Sequence, residues 1–291
     1  MSPMRVLVTD GMDPTALTTL RKAHEVDVRE LDAKGLLAAI PTYHGLVVRS
    51  RTKVTKEVLS RGTQLKVIGR AGVGVDNIDV EEATGRRIVV VNAPTASTVG
   101  VAELAIGHMV SLLRHLPEAD LSVRSGRWER ARFEGRELFG KTLGLLGSGR
   151  IGAEVAKRAQ AFGMQVISHD PYLAPEVADG IGVRLVTKDQ LFRDADVLSI
   201  HAALTSETRG LVGPAQLTKM KRHAILVNCA RGEIVDEGAL AEALRSGTIA
   251  GAAIDVYAKE PPVGSPLLTA PNVVFTCGSR IAATAVAAVT R

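Results

Sequence analysis

Aromatic side chains are scarce. They make up 3% of the 291 residues, with a single tryptophan, Trp128. Single-stranded nucleic acid is usually held by stacking on aromatic rings, and this chain offers few. Its formal charge is +5 without a long basic run, so no nucleic-acid partner is expected. Cysteine is nearly absent too. Cys229 and Cys277 form no C-x-x-C pair, so a disulfide framework is excluded and no metal is expected. Both thiols are expected to be reduced, in a cytoplasmic protein. No apolar run approaches the roughly 20 residues of a membrane span, and no secretory signal is visible, so no membrane is expected either.

The chain is rich in aliphatic residues and glycine. Hydrophobic residues make up 46%, and there are 28 glycines. The glycines are most informative between Thr142 and Gly152, in Thr-Leu-Gly-Leu-Leu-Gly147-Ser-Gly149-Arg150-Ile151-Gly152. This reads as a strand, a glycine turn and a helix start. Gly147 permits the turn, Gly149 lets backbone approach a pyrophosphate, and Gly152 lets the helix pack closely on the sheet. The next strand, Gln165–His169, ends at Asp170. That acid lies near the spacing at which a carboxylate meets the adenosine ribose. The cofactor expected is NAD.

Strands and helices alternate through most of the chain. Arg5–Thr9, Glu25–Val28, Gly45–Val48, Leu65–Ile68 and Ile88–Val91 read as strands, with helices near 14–22, 33–39, 55–61 and 79–84. After Asp170, strands are expected at 195–200, 224–228, 250–255 and 272–275. The fold class is therefore α/β with two domains: a flavodoxin-like parallel-sheet substrate domain over 1–97, with 285–291 as a possible addition, and a Rossmann dinucleotide-binding domain over 98–284. A long helix over 99–116, apolar around much of its circumference, is expected to link them and to carry a homodimer contact.

Ligands of such sheets bind beyond the carboxyl ends of strands, and three segments there carry chemistry. Arg231, in Asn228-Cys-Ala-Arg-Gly-Glu-Ile-Val-Asp236, can grip a carboxylate with two parallel bonds or simply bond a loop carbonyl. Glu260, in Asp255-Val-Tyr-Ala-Lys-Glu-Pro-Pro262, can tune a histidine or stand solvated in a loop. In Val67-Ile-Gly-Arg70-Ala-Gly72-Val73-Gly74-Val-Asp-Asn77, the glycines can present amides to an anion and Arg70 adds charge.

Together with Val48-Arg49-Ser50 and Trp128-Glu-Arg130, these motifs resemble the D-isomer-specific 2-hydroxyacid dehydrogenases, most closely the members that oxidise D-3-phosphoglycerate to 3-phosphohydroxypyruvate for serine synthesis. The resemblance runs from Arg5 to about Phe275. It implies that Arg231 binds the substrate carboxylate and carbonyl, and that Glu260 pairs with a proton-shuttling histidine. It assigns Gly147, Gly149, Arg150, Ile151, Gly152 and Asp170 to the nucleotide. Cys229, Ala230 and Asp255 fall on the nicotinamide side, with Val73 also touching the cofactor. Arg49, Lys53, Arg70 and Gly72 would face a small anionic substrate carrying phosphate; the alternative is that these cations only aid solubility.

The resemblance fails after Thr276. A Thr-Pro-His segment belongs there, but the chain reads Thr276-Cys277-Gly278-Ser279-Arg280 and ends at Arg291. The C-terminal end is therefore expected to be altered or truncated, and turnover to be impaired. Rival functions are reduction of glyoxylate or hydroxypyruvate, and a catalytically weak NAD-binding regulatory role.

Overall fold

The computed structural model describes residues 3–278. They form two compact units, one ending at Ser97 and the other starting at Thr98.

The first unit is a five-stranded sheet of β1 (Arg5–Val8), β2 (Glu25–Val28), β3 (Gly45–Val48), β4 (Val67–Arg70) and β5 (Val89–Asn92). Every pairing is parallel, in the order β2-β1-β3-β4-β5. Sheets of this kind are covered on both faces, so their central strands are apolar throughout. All four residues of β3 are accordingly buried. The helices begin where the sequence offers caps: Asp13 accepts the amides of Thr15 and Ala16, with Pro14 in the first turn, and Asp79 accepts that of Glu82.

The second unit holds β6 (Thr142–Leu146), β7 (Gln165–His169), β8 (Arg184–Leu185), β9 (Val197–Ile200), β10 (Ile225–Asn228), β11 (Gly251–Ile254) and β12 (Val273–Phe275). They form a parallel sheet in the order β12-β11-β10-β9-β6-β7-β8. This is the doubly wound arrangement of dinucleotide-binding domains, extended by one strand. At the edge away from the carboxyl ends, Asp196 accepts bonds from Lys221, His223 and the Thr142 amide, each at 2.8 Å. Burial alone would raise its pKa, but these donors outweigh burial and pull it down to about 2.

Two features differ from expectation. β8 is only two residues long, too short to leave a periodic signature. The helix expected over 99–116 is broken. It runs Thr98–Leu113, His115 turns at a φ of 53°, and a second helix, Leu116–Arg124, departs at 61°. Pro117 explains the break, since proline lacks the amide that a continuing helix needs. The Thr98–Leu113 helix buries Ala102, Ala105, Ile106, His108, Met109, Leu112 and Leu113 within its own unit. Among the described residues, no single helix is long and apolar enough to cross a membrane. The segment 285–291, assigned above to the first domain, lies outside the described residues.

Candidate functional site

In the second unit, the glycine turn sits where the strand order reverses, between β6 and β9. Gly147 has a φ of 91°. A Cβ there would lie 2.8 Å from the Ala202 amide nitrogen, and one on Gly152 would lie 2.5 Å from the Gly147 carbonyl oxygen. Both positions therefore exclude a side chain, one through the strand crossing and the other through the helix. Gly149 behaves oppositely. A Cβ on it would meet nothing within 4 Å, so the space before the helix Arg150–Ala161 is open. An open face at a helix start, with amides directed outward, fits a pyrophosphate. Arg150 is exposed there and Ile151 is half-buried.

Asp170 follows β7 directly. It accepts the Ser148 amide at 2.8 Å and the Tyr172 amide at 3.0 Å. These bonds hold the carboxylate over the turn, where it can accept from ribose hydroxyls. Ser148, buried, also donates its hydroxyl to Ser168 at 2.5 Å, and Ser168 donates to the Leu145 carbonyl at 3.1 Å. These serines tie the turn to the sheet, and no sequence motif marks them for that role.

Arg231 ends the turn after β10. Asn228 shapes that turn, accepting the Ala230 amide at 3.1 Å and donating to the Arg231 carbonyl at 3.0 Å. The Arg231 guanidinium is half-buried, and one nitrogen donates to the Ala230 carbonyl at 2.7 Å. The loop-carbonyl bond is thus present. Cys229 is buried, and burial, assisted by the charge of Asp255, pushes its thiol pKa well up. It is a packing residue rather than a nucleophile.

Gly232 joins this turn to the loop of Glu260. A Cβ there would fall 1.9 Å from the Tyr257 carbonyl carbon and 2.3 Å from the Ala258 nitrogen. Only glycine allows the backbones after β10 and β11 to lie this close. Glu237 fastens the same loop, accepting the Ala258 amide at 2.8 Å and the Ser265 hydroxyl at 2.5 Å. Glu260 is exposed and accepts the Tyr257 amide at 3.4 Å. Among the described residues, no histidine bonds to it. Asp255 is buried beside this loop and accepts the Thr276 hydroxyl.

His201, the histidine at the β9 end, is half-buried with Nε2 2.8 Å from the Ser199 hydroxyl. Burial depresses its pKa to about 4. A ring so weakly basic is a poor acceptor for the proton that oxidation of an alcohol releases.

In the first unit, the strand order reverses between β1 and β3, and the cations lie beside that point. Val48 pairs with Arg70 across β3 and β4, so Arg49 and Arg70 leave neighbouring strand ends together. A Cβ on Gly72 would fall 1.5 Å from an Arg70 guanidinium nitrogen, so the bare glycine makes room for that side chain. Lys53 is exposed. Val73, also in this unit, receives the Asn92 side-chain amide on its carbonyl at 2.6 Å.

Two residues without an assigned role in the sequence control the loop carrying Arg49. Asp10, just past β1, is buried and accepts the Arg49 amide at 2.7 Å, the Thr52 amide at 3.0 Å and the Thr52 hydroxyl at 2.6 Å. Arg51 adds a bond at 3.2 Å. Burial opposes ionisation of Asp10, but these donors prevail and its pKa is lowered. Asn77 holds the opposite side of the loop, donating to the Arg49 and Thr52 carbonyls at 2.7 Å each. The signal available was an acid directly after a buried strand at a binding edge.

Known proteins agree with this geometry. Residues 106–277 match the family described as D-isomer specific 2-hydroxyacid dehydrogenase, NAD binding domain. A D-3-phosphoglycerate dehydrogenase of Methanocaldococcus jannaschii is 51% identical over 275 residues, covering 94% of this chain and 52% of that protein. The chain thus spans about half the length of that relative. A crystal structure of a Thermus thermophilus protein superposes with a TM-score of 0.87 at 40% identity, over 94% of this chain and 89% of the other. So does an NADPH-dependent glyoxylate/hydroxypyruvate reductase of Sinorhizobium meliloti, in complex with NADP and malonate, at 0.85 and 34%, over 99% and 89%. With a matching model over more than half its length and a glycine turn built to its pattern, the chain belongs to the D-isomer-specific 2-hydroxyacid dehydrogenase family.

Proposed function

We propose that the chain is a cytoplasmic NAD-dependent dehydrogenase of D-3-phosphoglycerate whose turnover is impaired at the proton-transfer step. The observation that carries the substrate assignment is the clamped loop of Arg49 beside Arg70. Two adjacent arginines suit a phosphate, which each can engage through charge-assisted bonds. An uncharged 3-position, as in lactate or glyoxylate, would draw little from either. The 94% coverage by a phosphoglycerate dehydrogenase supports the same choice.

Bound NAD supplies the ring that accepts hydride from C2 of the substrate. The residues of the chain do the rest. Arg231 orients the carboxylate and stabilises negative charge developing on the C2 oxygen. It cannot readily exchange a proton itself, because its pKa is too high. Glu260 would hold a histidine as it becomes protonated, and Cys277-Gly278 follow Thr276 where Pro-His is expected. That substitution favours the second reading, an NAD-binding protein with little catalytic flux. Competitive calorimetry separates the substrate assignments: 3-phosphoglycerate should bind the NADH complex more tightly than glyoxylate or D-lactate, and the reverse order rejects phosphoglycerate.

The cofactor preference follows from Asp170. Its carboxylate accepts from a 2′-hydroxyl and repels a 2′-phosphate, and the residues that follow are Pro171 and Tyr172. Fluorescence titration should show tighter binding of NADH than NADPH. Tighter NADPH binding, in line with the Sinorhizobium neighbour, would overturn the assignment.

The association proposed is a homodimer. The helix expected to mediate it keeps most of its apolar face inside its own unit, so the contact shifts to the segment after the break. There Leu121 is 65% exposed, Val123 56% and Trp128 70%; Leu121 and Val123, two positions apart, lie on different sides of their helix, so Leu121 and Trp128 are the side chains to test. Sedimentation equilibrium should return twice the chain mass, and Trp128→Glu with Leu121→Glu should return the monomer. A monomeric parent protein at micromolar concentration excludes the contact.

A further inference from the structure

His108 is a polar residue in an apolar setting. It lies within the Thr98–Leu113 helix, is 3% exposed, and is surrounded in sequence by the buried Ala105, Ile106, Met109 and Leu112. Its Nε2 lies 3.1 Å from the Thr276 hydroxyl oxygen. Thr276 directly follows β12, and Asp255 directly follows β11. Ile254 pairs with Phe275 across these strands, so the two side chains leave neighbouring strand ends. The Thr276 hydroxyl bonds to a carboxylate oxygen of Asp255.

The direction of this chain can be deduced. A carboxylate only accepts, so the single hydroxyl proton of Thr276 goes to Asp255. The Thr276 oxygen must then accept from His108, which places the ring proton on Nε2. The Thr276 backbone is itself fixed, its amide donating to the Ile254 carbonyl at 3.0 Å and its carbonyl accepting from the Tyr257 hydroxyl at 2.8 Å. The Asp255 amide donates to the Asn228 carbonyl at 3.0 Å. With both backbones held, the Thr276 hydroxyl rotor sets one of the bonds on the Asp255 carboxylate. A donor on the Thr276 oxygen settles that rotor and polarises its O–H bond toward the carboxylate.

We propose that His108 is a positioning residue for the cofactor: through the Thr276 hydroxyl it fixes the carboxylate of Asp255 for the nicotinamide end of NAD. The proposal rests on the assignment of Asp255 to that end, and extends it to a residue that touches neither cofactor nor substrate. A purely structural histidine would satisfy its own polar atom with any nearby acceptor. Here the acceptor is a hydroxyl that also bonds to Asp255. The geometry requires a proton on Nε2, and burial, which lowers the His108 pKa while Asp255 opposes the shift, favours the neutral form that carries it there.

Two measurements on the full chain test this. The first needs no cofactor. A long-range nitrogen–proton correlation spectrum of histidine-labelled protein should show His108 as the neutral Nε2–H tautomer, and Thr276→Val should move its Nε2 signal. An Nδ1–H tautomer overturns the proposal. The second is NADH affinity by fluorescence. Leucine suits an apolar helix, so His108→Leu should fold. It should weaken NADH binding roughly three- to tenfold, the worth of one net hydrogen bond. His108→Gln, which keeps a donor, should stay within about twofold of the parent, and Thr276→Val should match His108→Leu without adding to it in the double variant. Asp255→Asn separates the two levels of the argument. If it weakens NADH binding while His108→Leu does not, the relay is wrong and the Asp255 assignment stands. If Asp255→Asn changes nothing, the Asp255 assignment falls and the relay with it.

Discussion

Replacing Cys277-Gly278 by Pro-His, which gives Thr-Pro-His after Phe275, should raise kcat by at least two decades over the parent chain. The expectation comes from what each residue can do. Arg231 can hold a carboxylate and stabilise an oxyanion, and the turn around Gly147 suits the nucleotide. Oxidising a secondary alcohol also releases a proton, and a positioned acid–base group contributes about 10²–10⁴-fold to such a step. Among the described residues, no histidine bonds to Glu260. His201, directly after β9 in the same unit, has its pKa depressed by burial to about 4 and is engaged with Ser199. Pre-steady-state and steady-state rates with NADH and 3-phosphohydroxypyruvate measure the difference. Turnover of order 1–10³ s⁻¹ by the unaltered chain would show that another group already moves the proton. If that group is His201 despite its low pKa, His201→Asn should abolish the activity.

Replacing Arg70 by alanine should weaken 3-phosphoglycerate binding by about one to two decades, because each charge-assisted bond to a partly desolvated phosphate contributes about 1.5–3 kcal/mol. NADH affinity should hold nearly constant, since Arg70 belongs to the first unit and the nucleotide turn to the second. Alanine here removes a side chain that lies against the bare Gly72 and leaves β4 intact, so stability should change little. Calorimetry with both ligands decides the matter. Equal losses for the two would show that Arg70 acts through the fold and not through the phosphate.

Most of the architecture was legible in the sequence because parallel sheets write themselves as short, wholly apolar runs separated by capped helices. Val6–Val8, Leu46–Val48 and Leu143–Leu146 are such runs, and each is a strand. The nucleotide turn was legible because its glycines are required for three separate reasons within six residues. What stayed hidden depends on contacts far apart in sequence. Asp10 reaches Thr52, 42 positions away, and His108 reaches Thr276 across 168. Neither pairing has a local spacing to betray it. The break before Leu116 was hidden for another reason. It falls at Arg114-His115, inside the last turn of the expected helix, and Pro117 is consistent with either the first turn of a new helix or a kink in an old one.

The double clamp of Asp10 and Asn77 has a thermodynamic consequence for recognition. Fixing one residue's backbone costs about 1–2 kcal/mol in conformational entropy. For the loop of Arg49 that cost is met when the chain folds, since both amides and both carbonyls at positions 49 and 52 are already engaged. An anion arriving there meets a surface with little ordering left to impose. Its affinity should therefore depend on charge and solvation, falling with added salt, and its association should be limited by encounter rather than by rearrangement of the loop.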